Sequence, residues 1–419
     1  MFVSGFQCIA CCTRQAASFD GLICPACGGN LELNYDYPSV AQEIAEGFGC
    51  GRRDIFRYQA LLPVQAQDAA FPLRVGGTPL YPAVRLGQQA GVPGLFLKDD
   101  SGNPSASFKD RASAVVLRRA VDVGAPVVAT ASTGNAGSSL ACVAAAMGMK
   151  SVIFIPQNAP VAKLSQALAY GAQVLAVRGN YDDAFDLCLA ACEEFGWFNR
   201  STGVNPFTRE GKKTCAFEIW EDLGRQVPDR VVVPSGDGNM LSGIWKGWCE
   251  LKAVGLIDRL PKMDCAQSES SAAICNTVHR LRQTNVEISD WSDVVVDEVE
   301  ASTIADSISV NRPRDGLAAV KAIMKSGGEG LIVPDSEILA AIGEISRFTG
   351  VFPEPAAAAS WAAVRHMAEG RQIEADEVVV CIVSGNGLKD TDRLAELVGA
   401  PLVIDPRIEA VRAALQISC

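Results

Sequence analysis

The chain has 419 residues, 48% of them apolar, so two or more packed units are expected rather than one compact core. A net charge of −11 argues against general nucleic-acid binding, which needs clustered cations. No apolar run reaches the ~18 residues of a membrane span, and the opening "MFVSGFQCIACC" lacks the pattern of a signal peptide.

The first unit, residues 1–35, is cysteine-dense. Cys8 and Cys11 are separated by two residues, as are Cys24 and Cys27, with twelve residues between the pairs. Two such knuckles offer four thiolates in the arrangement of a structural zinc ribbon, with no position left open for chemistry. Glycines in "CPACGGNLEL" suit the tight turn after the second knuckle, and Cys12 is a competing ligand. The other cysteines, of fifteen in all, are scattered through apparent helices and strands, as expected of reduced thiols in a cytoplasm.

Residues 36–75 read as a connecting arm whose ordered part is "RRDIFRYQALLPV". An alternation follows. "LFLKDD" and "APVVATAS" are strands, and "GNAGSSLACVAAAMG" is a small-residue helix. "SVIFIP" is a strand, "VAKLSQALAYG" a helix, "AQVLAVRG" a strand and "YDDAFDLCLAACEEFG" a helix. "DRVVVPSG" is a strand, "NMLSGIWKGWCELKAVG" a helix and "DEVVVCIVSG" a strand. Apolar runs alternating with helical patterns imply βαβ units and parallel sheets, which bind ligands beyond the carboxyl ends of their strands.

Polar, glycine-rich junctions sit at those ends. "STGNAG" (132–137) opens a helix with hydroxyls and amides suited to a small anion. "SGDGNM" (235–240) aims several N–H groups at one point with a helix dipole behind them, a phosphate cradle. "SGNGLKD" (384–390) is a third junction, and "NPSASFKDRAS" (103–113) holds a single lysine, Lys109, after a turn. Neither a dinucleotide fingerprint nor a P-loop is present. A phosphate cradle with a placed lysine suggests a phosphorylated cofactor that bonds to an amine, and pyridoxal 5'-phosphate fits. Only two histidines are available, His279 and His366, both in solvated helical patterns, so a histidine base is not expected.

Taken together, "FRYQALLPV", "GGTPLYPAVRLG", "LKDDSGNPSASFKDR", "STGNAG", "NPFTREGKKTCAFEI", "VVVPSGDGNMLSGIWKG", "EPAAAAS" and "SGNGLKD" resemble threonine synthase and its relatives among the fold-type II pyridoxal-phosphate enzymes, over nearly the whole chain. The resemblance implies an α/β protein of two doubly wound parallel-sheet domains behind the zinc-ribbon-like unit. The large domain would take residues 76–110 and 205–400, the small domain 111–204 and a tail 401–419. It implies that Lys109, preceded by Phe108, bonds the cofactor's aldehyde and that Asn135 faces its ring hydroxyl. Gly236, Asp237, Gly238, Asn239 and Met240 would hold its phosphate, and Ser384 its pyridine nitrogen. Ser132, Thr133, Gly134 and Asn135 would hold the substrate's carboxylate, with Arg209 and Lys212 further substrate contacts. Relatives are commonly homodimers. The partner expected is a small amino-acid substrate, with neither nucleic acid nor membrane.

The chain departs from the family pattern in the substrate half. Ala136 stands where a threonine is usual. "NPFTREGKK" has Thr208 where an arginine usually meets the substrate phosphate, with Arg209 one residue later and Lys212 in place of a common glutamine. "STIADSISVNRPRDG" (302–316) looks more like threonine and serine dehydratases. Conversion of O-phosphohomoserine to threonine and phosphate is the expected reaction. A sibling β-elimination or β-replacement on a serine-, threonine- or O-phosphoserine-type amino acid, dehydratase-like or cysteate-synthase-like, is the alternative. A third reading is a non-catalytic homologue whose ribbon binds a partner, against which Lys109, Asn135 and Ser384 argue.

Overall fold

The computed structural model describes residues 1–49, 51, 53–65, 71–159, 161–284, 288, 290–391 and 401–415. It opens with an antiparallel ribbon of β1 (Val3–Cys8), β2 (Arg14–Ala16) and β3 (Leu31–Tyr35), in the order β2-β1-β3. Along β3, buried Leu31, Leu33 and Tyr35 alternate with half-buried Glu32 and Asn34, the period of a strand with one face on a core. That face joins the same apolar cluster as Tyr58, Phe217 and Trp220, so the ribbon packs onto the body of the protein. Residues after it form a short helix, Tyr37–Glu43, whose N-terminus is capped by the Asp36 carboxylate accepting from Ser39 N–H. A 3₁₀ segment, Ile55–Leu61, then buries Ile55, Phe56, Tyr58 and Leu61.

The remaining strands are β4 (Leu80–Pro82), β5 (Leu95–Asp99), β6 (Val127–Ala131), β7 (Lys150–Pro156), β8 (Gln173–Val177), β9 (Phe198–Asn199), β10 (Arg230–Pro234), β11 (Lys262–Ser268), β12 (Gly330–Val333) and β13 (Val379–Val383). They fall into two sheets. One has the order β12-β11-β10-β13-β5-β4, parallel except for β4 at its edge; the other is parallel throughout, in the order β8-β7-β6-β9. β10 and β13 are buried at every residue, as strands covered by helices on both faces must be, and their Val-rich runs reflect it.

The polar junctions are thus placed by the sheets. β6 delivers 132–134 to the helix Asn135–Met147, β10 delivers 235–238 to the helix Asn239–Ala253, and β13 ends at Ser384. β5 leads through 100–108 to the helix Lys109–Asp122. A buried ion cluster pins that helix. Arg111 reaches Asp100 at 2.6 Å and Glu218 at 2.7 Å, all three without exposure. Removing one partner of such a cluster costs about 3–5 kcal/mol, because the others stay charged and dry.

Candidate active site

Lys109 is the first residue of its helix and is half-buried, directly after fully buried Phe108. The turn before it is set by Asp110, whose carboxylate accepts from Ser105 N–H at 2.6 Å and Ser105 Oγ at 2.5 Å. Phe108 N–H donates to the Ser384 carbonyl at 2.8 Å, so the lysine and the end of β13 are held together. Burial lowers the Lys109 pKa; Arg200 pushes the same way, and Glu354 and Asp237 oppose it. The shift is toward the neutral amine, the nucleophilic form.

Opposite lies the 235–240 turn. Gly238 adopts φ +87, where an added Cβ would meet Ala319 Cβ at 2.8 Å and the Asp315 carbonyl at 2.9 Å; a Cβ on Gly236 would meet Val310 and Ile308 at 2.8 and 2.9 Å. Glycine is thus required twice, by conformation and by close approach. The first amides of the helix Asn239–Ala253 have no carbonyl of their own helix to bond and are available to an anion. Lys212 lies beside them with 1% exposure, its Nζ donating to Asn239 Oδ1 at 2.5 Å. No carboxylate pairs with it among the described residues, and its pKa is driven well below the ordinary lysine value by burial, then by Lys109 and Arg200. A buried cation of this kind calls for an anion.

Between these groups sits Glu354. Its two oxygens are reached by Asn135 Nδ2 at 2.8 Å and Ser384 Oγ at 3.2 Å, and Asn135 Nδ2 also donates to Ser307 Oγ at 3.1 Å. Burial raises the Glu354 pKa, with the bond from Asn135 acting against it. Lys109, Ser132, Thr133, Gly134, Asn135, Ala136, Lys212, the 235–240 turn, 306–312 and Ser384 line one cavity of about 480 Å³. Phe108 is enclosed behind Lys109.

Arg209 is not brought to this cavity. Its guanidinium is engaged by the Asp315 carboxylate, by the Leu31 carbonyl at 3.1 Å and by Ser242 Oγ at 3.2 Å. Thr208 Oγ1 is turned to the Asn205 carbonyl at 2.8 Å. Arg209 lies one turn from Lys212 on the same helix, but Asp315 and Ser242 hold its guanidinium outside the cavity lining. His279 bonds the Gly330 carbonyl at 2.8 Å and His366 pairs with Glu337 at 2.6 Å, both away from the cavity. Sequence reasoning missed Glu354, Ser307 and Arg200. A signal existed for Glu354: Pro355 begins a helix and makes the preceding acid its N-cap residue, although the carboxylate itself turns to Asn135 and Ser384.

These features fit a phosphate-bearing cofactor: a glycine cradle that a Cβ would fill, a buried lysine with no carboxylate paired to it beside the cradle, and a second lysine across the cavity whose pKa burial lowers. A second set of ligating groups lies in the ribbon. The sulfurs of Cys8, Cys11, Cys24 and Cys27 all lie within 4.8 Å of one another, with Cys8–Cys27 at 3.5, Cys11–Cys24 at 3.7 and Cys11–Cys27 at 3.4 Å. Sulfurs bound tetrahedrally at ~2.3 Å to one ion would be ~3.8 Å apart, so this set could hold a metal.

Comparison with known proteins supports a pyridoxal-phosphate enzyme. Residues 72–385 match the family model described as pyridoxal-phosphate dependent enzyme, and the chain belongs to that family. It is 36% identical to threonine synthase of Methanosarcina acetivorans over 98% of both chains, and 38% identical to threonine synthase of Methanocaldococcus jannaschii over 90% of this chain and 91% of that one. Within the wider class it is therefore a member of the threonine synthase family. Among solved structures it resembles threonine deaminase isoform 2 from Solanum lycopersicum (TM-score 0.63, 21% identity, 77% of this chain and 83% of that one) and maize serine racemase (TM-score 0.62, 21% identity, 76% and 91%). At that identity the likeness shows a shared fold.

Proposed function

We propose that this chain converts O-phosphohomoserine to threonine and inorganic phosphate, with pyridoxal phosphate bound at Lys109. The observation that supports it most is the convergence of a lysine with lowered pKa and a phosphate-type glycine turn in one cavity, in a chain so close to threonine synthases over its full length.

When bound, pyridoxal phosphate supplies an electron sink for charge developing at the substrate's α-carbon. The amides of Gly236–Met240, with Lys212, hold the phosphate. Asn135 and Ser384 hold the ring edge, both kept in place by Glu354. Because Ser384 offers a hydroxyl rather than a carboxylate, charge on the ring nitrogen is not strongly favoured, which suits elimination and replacement. Ser132, Thr133 and Gly134 orient the substrate carboxylate. Lys109 Nζ, with its pKa lowered by burial, would take and return the proton at the α-carbon. With Arg209 engaged by Asp315, the cations left in the cavity lining for the substrate's own phosphate include Lys212, Arg312 and Arg314.

The ribbon would hold one structural zinc through Cys8, Cys11, Cys24 and Cys27. A second reading, β-elimination or β-replacement on a serine-, threonine- or O-phosphoserine-type amino acid, is favoured by Ala136 and by the position of Arg209. Supplying O-phosphohomoserine and measuring phosphate, threonine and 2-oxo acid separates the two. Threonine with stoichiometric phosphate supports synthase activity, and 2-oxobutyrate without threonine supports the alternative. Lys109→Ala should abolish turnover and the bound cofactor's visible absorbance together; a variant that kept a borohydride-reducible adduct on another lysine would refute the assignment.

A further inference from the structure

The cysteine ribbon and the phosphate turn are far apart in sequence, yet one side chain stands between them. Asn30 follows the second knuckle and is bound into both. Its carbonyl accepts from Ile9 N–H of the first knuckle at 2.9 Å, and it bridges to Ile23 just before Cys24. The Asn30 side chain leaves the ribbon altogether. Its Nδ2 donates to the Arg314 carbonyl at 2.7 Å and to Asp315 Oδ1 at 2.9 Å.

Asp315 has 1% exposure, and its other oxygen grips the helix that carries the phosphate turn. Oδ2 accepts from Asn239 Nδ2 at 2.8 Å and from Ser242 Oγ at 2.7 Å. Its backbone N–H donates to the Asp237 carbonyl at 3.0 Å, and Arg314 N–H donates to Asp237 Oδ1 at 3.1 Å. The Asp315 carbonyl is also one of the two atoms that leave no room for a Cβ on Gly238. Arg209 neutralises the carboxylate, so Asn30 is needed for its orientation rather than its charge. A second tether, Lys321 Nζ to the Ile9 carbonyl at 2.7 Å, anchors the first knuckle to the helix Gly316–Ser326 that Asp315 precedes.

We propose that the four-cysteine ribbon braces the cofactor-phosphate turn through Asn30 and Asp315, so that the integrity of the thiol cluster sets the affinity of the site for a phosphorylated ligand. This rests on reading the 235–240 turn as the seat of the cofactor phosphate. Asp315 is a positioning residue: it fixes the amides that meet the anion without meeting it itself. The thiol cluster fixes the two knuckles, the knuckles fix Asn30, and Asn30 fixes the Asp315 rotamer.

The test titrates wild type and Asn30→Ala with pyridoxal phosphate and, separately, with unphosphorylated pyridoxal, before and after chelation of ribbon metal. Amide hydrogen exchange of residues 236–242 is followed in each sample. Asn30→Ala, a change at a half-buried position, should weaken pyridoxal phosphate about tenfold, the lower end for one hydrogen bond to a charged group. Pyridoxal binding should be unchanged, and exchange at 236–242 faster. Chelation of wild type should cost a similar factor, and chelation of Asn30→Ala should add little, because both act through one link. Asn30→Asp, which sets two carboxylates face to face, should weaken pyridoxal phosphate further while keeping the fold. Unchanged affinity in Asn30→Ala would overturn the brace, as would equal weakening of both compounds or fully additive losses. A wild type that binds pyridoxal as tightly as pyridoxal phosphate would instead overturn the phosphate-turn reading, and the brace with it.

Discussion

Lys212 shows what one side chain can impose on the site. Its Nζ is buried, near Lys109 and Arg200 and with no carboxylate paired to it among the described residues, so the folded chain releases that proton at lower pH than the unfolded chain, whose lysines keep the ordinary value of 10.5. Between the two values the unfolded state binds more protons, and stability rises with pH. Acidifying the cofactor-free protein from 10.5 toward neutrality should therefore destabilise it, with a slope of at most ~1.4 kcal/mol per pH unit from this group. Lys212→Met should flatten that slope in urea titrations; an unchanged slope would show that the charge is compensated. Ala136, lining the cavity next to Asn135, is the other residue to vary. Ala136→Thr restores a hydroxyl near the reacting carbons and should raise threonine relative to 2-oxobutyrate from O-phosphohomoserine, since a positioned acid or base is worth ~10²–10⁴-fold. Equal product ratios in the two proteins would make position 136 passive packing. The glycine turn was readable because its backbone demands leave a mark in sequence, and Lys109 because a single lysine stands in the polar turn 103–113. Arg200 was not, since an arginine becomes informative only when burial removes its solvent, and Glu354 was marked only as the acid before a helix-opening proline.

Elements with strong periodicity were the most legible. "APVVATAS", "SVIFIP" and "DRVVVPSG" are β6, β7 and β10 because each is an apolar run too short for a helix. β11 was harder: "KMDCAQS" places Asp264 and Gln267 inside a buried strand, where Arg230 at 3.2 Å and the Ser235 carbonyl at 3.0 Å satisfy them. Such long-range compensation has no local signature. The turn that carries the phosphate amides can be tested as an element. Gly238→Ala meets both a left-handed backbone and two contacts under 3.0 Å, so it should cost about 2–5 kcal/mol and lower cofactor affinity. Gly224→Ala, with φ +65 and nothing within 4 Å of its Cβ, should carry only the backbone penalty of ~1–2 kcal/mol and leave affinity intact. Comparing unfolding and cofactor titrations of the two variants separates strain from loss of the cradle; equal affinities would show that the turn tolerates a side chain.

At the scale of the whole molecule, the ribbon joins the body through charge as much as through apolar packing, and nothing local announced it. Tyr35 of β3 donates to Glu210 at 2.6 Å, Lys246 donates to the Leu33 carbonyl at 2.6 Å, and Lys213 pairs with Glu210 at 2.6 Å and Glu250 at 2.7 Å. All of these side chains are buried, and the partners stand up to 213 residues apart. A net charge of −11 describes the surface and is silent about such an interior. The two carboxylates respond oppositely. Burial alone would raise both, but Lys213 and Lys246 bring Glu210 down from 4.5 to about 2, while burial keeps Glu250 above its usual value. A lowered carboxyl contributes stability that is complete above 4.5 and lost as pH falls toward about 2. Glu250 works against it, binding its proton earlier in the folded state. Glu210→Gln leaves two buried ammonium groups facing one acid, and should cost about 3–5 kcal/mol at neutral pH. It should also quicken hydrogen exchange in residues 1–35 and remove the acid-sensitive part of the stability curve that Glu210 supplies. The measurement is urea unfolding of wild type and variant between neutrality and about 2. Converging curves on acidification support the assignment. Curves that stay parallel would show that the ribbon is held by its apolar face and its cysteines, with the buried charges contributing only to the fit.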